Sequence, residues 1–195
     1  MENKKVSQTP QNKKTIGVLA VIPHMLAFPL TTLLCYNALR SSFLLDYVNI
    51  SLPHEFNFED KISILARIAS WISLVLIFNL FTVIGARVFS KAANPLKDHT
   101  NELVTVTNKI LTNSVEQTMI FLPLLVNWVI NCSSTESELK QGVSLAIIWV
   151  AGRILFSIGY FFGYLTNFTV LRVFGFAPTL FPSVILASRL AGIKI

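Results

Sequence analysis

Charge is what this sequence has least of. Only 13% of its 195 residues are Asp, Glu, Lys or Arg, about half of the roughly 25% found in ordinary soluble domains. Hydrophobic residues make up 53% and the mean hydropathy is +0.61. These values exclude a soluble globular domain and describe a polytopic membrane protein, one compact bundle with no room for a second domain. Cysteine is scarcer still. The two, Cys35 and Cys132, give neither a redox CxxC pair nor zinc-ligand spacing. A nucleophile triad, a phosphate-cradling glycine loop, a metal cluster, an internal repeat and a low-complexity tract are all missing. The net charge of +6 could suggest nucleic acid. However, the basic residues sit at helix ends and in the N-terminal tail, which is a membrane-topology pattern. The aromatics that would have to stack on bases lie inside apolar runs.

What is present is a polar tail, residues 1–14, carrying Lys4, Lys5, Lys13 and Lys14, followed by five apolar segments. Its composition predicts disorder. The first segment runs from about Thr15 to Leu39, long enough to span the hydrocarbon core, which takes about 20 residues. It is read as an uncleaved anchor because a secretory signal has a shorter apolar core. Pro23 and Pro29 predict a kink. The next spans are expected at about Ile64–Phe89, Leu103–Ile130 and Val143–Leu165. The last apolar run, from Phe174, contains Pro178 and Pro182 and reads as a kinked or partly re-entrant span. Lysines and arginines are heavier on one side (the tail, Arg87, Lys91, Lys97, Arg172) than on the other (Arg40, Lys61, Lys140, Lys194). The positive-inside rule then puts the N-terminus in the cytosol and the C-terminus outside it.

The third span carries polar residues where lipid would oppose them. In NKILTNSVEQ, Lys109, Asn113 and Glu116 are spaced i, i+4 and i+7 and share a helix face. A charged group facing lipid costs several kcal/mol, so the stripe must face protein or a watery cleft. The fourth span answers with GRILFSIGYFFGY, where Arg153, Phe156, Tyr160 and Tyr164 share a face. The simplest expectation is that Glu116 meets Arg153 inside the bundle. Such contacts are also ordinary interhelical glue, at about 1 kcal/mol each. Two complementary stripes favour a ligand or catalytic site over glue alone. His24 and Asn79 have no visible partner and read as structural. Trp71, Trp128 and Trp149 read as packing or interface anchors, and Gly159 and Gly163 as a close-packing pair.

RVFSKAANP at 87–95, NKILTNSVEQ at 108–117 and GRILFSIGY at 152–160 together resemble the MAPEG superfamily, the membrane-associated proteins of eicosanoid and glutathione metabolism. The likeness covers about residues 62–193, in matching order and spacing. It implies an all-α transmembrane bundle: a four-helix core over 62–193, preceded by one extra transmembrane helix over 15–39. It further implies a homotrimer binding glutathione at subunit interfaces, near the cytosolic face. Lys109, Asn113, Glu116, Arg153, Phe156 and Tyr160 match glutathione-contacting positions. Arg172 and Arg87 match basic positions expected to serve catalysis, Arg172 by stabilising the thiolate. A free thiol has a pKa of about 8.5, and a nearby guanidinium favours its nucleophilic form.

The resemblance thus implies glutathione-dependent transfer to lipophilic electrophiles, or peroxide reduction, at an endomembrane or the plasma membrane. Three departures lean the other way. Lys109 stands where catalytic members have arginine and lacks the bidentate fork. Phe156 replaces a tyrosine, and the stretch between Tyr160 and Arg172 is longer than expected. The extra helix and RVFGFAPTLFP resemble the mattrin-like branch, for which trafficking and signalling roles are proposed, so a non-enzymatic membrane regulator is the alternative. A transporter or channel fits poorly, since charges occur on only two spans and no inverted repeat is visible. Of the sequons at Asn49, Asn131 and Asn167, the topology predicts glycan on Asn49 and none on Asn167. Cys35 and Cys132 are expected to be two buried thiols rather than a disulfide.

Overall fold

The computed structural model describes residues 18–40, 57–90, 101–132, 136–166 and 170–193. The tail, the sequons at Asn49 and Asn167, the side chains of Pro23 and His24, and Lys91, Lys97 and Lys194 lie outside the described residues. The described residues form five helices: α1 (Val18–Arg40), α2 (Phe58–Phe89), α3 (Glu102–Asn131), α4 (Glu136–Thr166) and α5 (Leu171–Leu190). The protein is an all-helical membrane bundle. Three of its helices, α2, α4 and α5, are long and apolar enough to cross a bilayer by length and composition alone. The 30 residues of α3 reach about 45 Å, but its polar stripe lowers its apolarity below theirs.

The helices outrun the apolar segments that predicted them, because hydropathy marks lipid contact and not helix ends. α2 begins at Phe58 rather than near Ile64. Asn57 Oδ1 accepts the Asp60 backbone N–H at 2.8 Å while Asp60 Oδ2 accepts that of Asn57 at 3.2 Å. This reciprocal capping box satisfies two otherwise orphaned donors. α3 is started by Asn101, whose side chain accepts from the Leu103 N–H at 2.9 Å. It stops at Asn131, and the Cys132 carbonyl just beyond accepts a hydrogen bond from buried Lys61 Nζ at 2.8 Å. A cation at a helix C-terminus is favoured by the aligned peptide dipoles, and here it ties the start of α2 to the end of α3. Both cysteines are free and buried. Burial pushes the Cys132 thiol above its usual range, although the neighbouring Lys61 ammonium pulls the other way.

The final segment is one continuous helix. Pro178 and Pro182 lie inside α5 and both are buried. They sit on the packed side of the helix, and membrane helices tolerate internal proline. The first helix likewise runs unbroken through Pro29.

α5 packs most extensively on α4, and α2 packs on α3. Among the described residues α1 packs on α5 and α4, and its Leu39 reaches the apolar core built by the other four helices. Close packing occupies one end of this core. Leu65, Ile68 and Ile72 of α2 meet Phe121, Leu125 and Val129 of α3, and Leu139, Val143 and Trp149 of α4, with Leu186 of α5. Phe121 and Trp149 stack at 5.0 Å with their planes 9° apart. Trp149 is fully buried, and Trp128 lies under the Arg189 guanidinium at 5.4 Å; both act as packing residues. The opposite end, formed by the C-terminal halves of α2 and α4 and the N-terminal half of α3, is more open. Both the polar stripe and two cavities lie there.

Candidate functional site

A groove of about 510 Å³ opens between α3 and α4. Thr105, Asn108, Lys109, Thr112, Asn113 and Glu116 line it from α3, and Phe156 and Tyr160 from α4. Five of the eight residues singled out by motif are therefore brought to one concavity. Lys109 and Glu116 are exposed, Asn113 and Tyr160 half-buried, and Phe156 buried. The gradient follows from helical geometry. Residues seven apart lie almost on one line, whereas four apart turn by about 40°. Asn113 is thus rotated towards α4 while Lys109 and Glu116 stay on the outer edge.

The same rotation overturns the expected Glu116–Arg153 pair. Arg153 is fully buried and its Nη1 donates to Asn113 Oδ1 at 3.0 Å, its Nη2 to Ser114 Oγ at 2.7 Å. Its guanidinium carbon also lies 4.4 Å from the Phe156 ring centroid, within cation–π range. Glu116 sits further out and meets no cation within ion-pair distance among the described residues. Arg153 therefore forms the groove's supporting floor rather than its lining. It is a buried guanidinium with no carboxylate partner among the described residues.

Asn79 also has a partner that its sequence context concealed. Its Nδ2 donates to Ser114 Oγ at 2.9 Å, and Ser114 donates onward to the Ile110 carbonyl at 2.8 Å. A buried polar chain thus runs from α2 through Ser114 to Arg153 and out to Asn113 at the groove. Ser114 joins three helices, yet a single serine in an apolar helix carries no signal. Thr105 and Thr112 do extend the Lys109–Glu116 spacing and were legible in that sense.

The two arginines assigned to catalysis are placed differently. Arg172, exposed in the first turn of α5, sits with its guanidinium carbon 6.0 Å from the Tyr160 ring centroid, at the groove's margin. Arg87 is half-buried in the last turn of α2 and does not line the groove. Phe156 and Tyr160 contact one another at 5.6 Å in a tilted arrangement.

The position of Phe156 is fixed by α5. Gly152 and Gly159 of α4 and Gly175 of α5 allow the two backbones to touch. A Cβ on Gly159 would lie 2.5 Å from the Leu171 carbonyl oxygen, and one on Gly175 would lie 2.0 Å from the Phe156 nitrogen. Small residues at such crossings are what allow membrane helices to approach closely.

A model described as the MAPEG family matches residues 65–192. That range holds α3, α4, α5 and most of α2, with every groove residue, and leaves α1 outside. Comparison with curated proteins and with solved structures gives no match.

Proposed function

Because the chain belongs to the MAPEG family, we propose that it is a glutathione-dependent transferase or peroxidase acting on lipophilic substrates, with the tripeptide seated in the α3–α4 groove. Membership makes it an integral membrane protein of the glutathione and eicosanoid superfamily; the specific activity is our reading. The observation that carries it is the gathering of Lys109, Asn113, Glu116 and Tyr160 around one concavity of about 510 Å³, a size within the usual range for small-molecule sites.

The residues suit a zwitterionic tripeptide. Glu116 accepts the ligand ammonium, and Lys109 receives a carboxylate. Asn113, held by Arg153, offers its amide to the peptide backbone. The Arg153 charge, lacking a carboxylate partner among the described residues, makes the groove floor attractive to anions. Arg172 reaches towards Tyr160 and supplies the guanidinium that would favour a thiolate over a thiol. In this reading a second copy of the chain closes the open edge carrying Lys109 and Glu116, as in a trimer, and the groove faces the cytosol.

A second reading is favoured by one observation: neither Arg87 nor Arg172 lines the groove. Binding without thiolate activation would suit a non-enzymatic membrane regulator. Purified protein in detergent, given glutathione and a lipophilic aryl halide, separates the two. The enzyme reading expects thiol consumption well above the protein-free rate. Lys109→Ala should raise the KM for glutathione about tenfold, one carboxylate contact of about 1.4 kcal/mol. Bound glutathione with no turnover for halide or peroxide would instead establish the regulator.

A further inference from the structure

We propose that Ser114, which does not line the groove, is a positioning residue for it: acting through Arg153, it fixes the Asn113 amide so that an N–H donor faces the ligand. This rests on the glutathione reading and adds to it what the groove floor recognises, a carbonyl or carboxylate oxygen. Ser114 is fully buried and is not among the groove residues. It follows Asn113 in α3, and one residue turns a helix by about 100°. The two neighbours therefore face different places, Asn113 the groove and Ser114 the junction of α2, α3 and α4.

The hydroxyl of Ser114 is used to its full capacity. A serine has one hydrogen to give and two lone pairs to offer. The hydrogen goes to the Ile110 carbonyl at 2.8 Å. The lone pairs receive Asn79 Nδ2 at 2.9 Å and Arg153 Nη2 at 2.7 Å. With every direction taken, the oxygen is held in place from three helices, and α2 braces a groove that it does not line.

Arg153 depends on that oxygen. Its Nε is buried without a partner. Among the described residues its guanidinium is held by Ser114 Oγ, by Asn113 Oδ1 at 3.0 Å and by the face of the Phe156 ring. A ring face sets no in-plane direction, so Ser114 is what aims Nη1 at Asn113. Arginine carries donors and no acceptor. The Asn113 atom it meets is therefore the oxygen, and Nδ2 is left for the groove. The floor thus offers a donor, which suits the carbonyls and carboxylates of the tripeptide. Without Ser114 the guanidinium swings, either end of the amide faces the ligand, and that selection is lost.

Glutathione affinity is measured by calorimetric titration of the folded, monodisperse fraction of purified protein in detergent, beside a melting curve. Ser114→Ala should weaken binding about tenfold, the value of one oriented hydrogen bond. Ser114→Thr keeps the oxygen and its bond to the carbonyl four residues back, a bond that Thr107 and Thr118 make in the same helix. Its extra methyl group should lower the melting temperature by overpacking, while the affinity stays at the wild-type value. Binding should therefore follow the hydroxyl and not the stability. In Asn113→Ala no amide remains to be aimed, so adding Ser114→Ala should cost no further affinity. Wild-type affinity in Ser114→Ala, lost binding in folded Ser114→Thr, or full multiplication of the Ser114→Ala and Asn113→Ala effects would overturn the proposal and leave the glutathione reading standing. No binding by wild type would overturn both.

Discussion

Gly175→Ala is expected to lower the thermal midpoint of the detergent-solubilised protein sharply, although it adds one methyl group. The added carbon would lie 2.0 Å from the Phe156 backbone nitrogen and 2.2 Å from its Cα. Backbone atoms of a helix cannot swing aside as a flexible side chain can, so α4 and α5 must move apart. Overpacking typically costs about 1–3 kcal/mol; a backbone-to-backbone clash in the bundle's most extensive interface belongs at or above the upper end. Because the contact is at Phe156, the groove wall should shift as well. Gly85→Ala is the control. It makes the same chemical change where only Phe89 Cε2 lies within 4.0 Å, and should alter stability by less than about 0.5 kcal/mol. Thermal unfolding of both variants, followed by intrinsic tryptophan fluorescence, reads the difference. Equal midpoints would mean that the α4–α5 crossing is looser than described.

The second large effect concerns Arg153. Arg153→Met keeps the length of the side chain and removes its charge. Removing the charge also removes its desolvation cost and strands no carboxylate among the described residues, so the loss of its two hydrogen bonds is offset. Ser114 still accepts from Asn79, and Asn113 can turn to the groove. The fold should survive. Glutathione binding should not, since Asn113 loses its anchor and the floor loses its positive field. The loss of one charge-assisted contact, about 1.5–3 kcal/mol, corresponds to roughly 10- to 150-fold in affinity. A purely structural arginine predicts the reverse: a poorly folded Met variant whose surviving fraction binds like wild type. Calorimetric titration beside a melting curve distinguishes the two.

Much of this arrangement could be read from spacing alone. Lys109, Asn113 and Glu116 had to share a face, and Arg153, Phe156 and Tyr160 had to share another. Which member of one stripe meets which member of the other could not be read. That depends on how far α4 is rotated and how closely it approaches, and glycine contacts with α5 set both. Charge complementarity suggested Glu116 for Arg153, but the inward turn of Asn113 gives the arginine to an amide and a serine. Asn79 seemed isolated because its partner lies on another helix and is a residue type common in apolar spans. The prolines of α5 suggested a kinked or partly re-entrant span because local propensity disfavours them, and the helix runs continuously through both, with each proline buried. The second helix starts ahead of its apolar segment because the Asn57 capping box begins it at Phe58.

Whether the α3–α4 groove holds glutathione through Glu116 is tested most directly by equilibrium binding to wild type and Glu116→Gln. Glu116 pairs with no cation among the described residues, and glutamine keeps its size and shape, so the substitution should leave the ligand-free melting temperature unchanged. Glutathione should stabilise wild type at millimolar concentration. Its affinity for Glu116→Gln should fall by roughly 10- to 150-fold, the consequence of losing one charge-assisted hydrogen bond to the ligand ammonium. Equal affinity in both proteins, or no binding by wild type at several millimolar glutathione, would contradict the account.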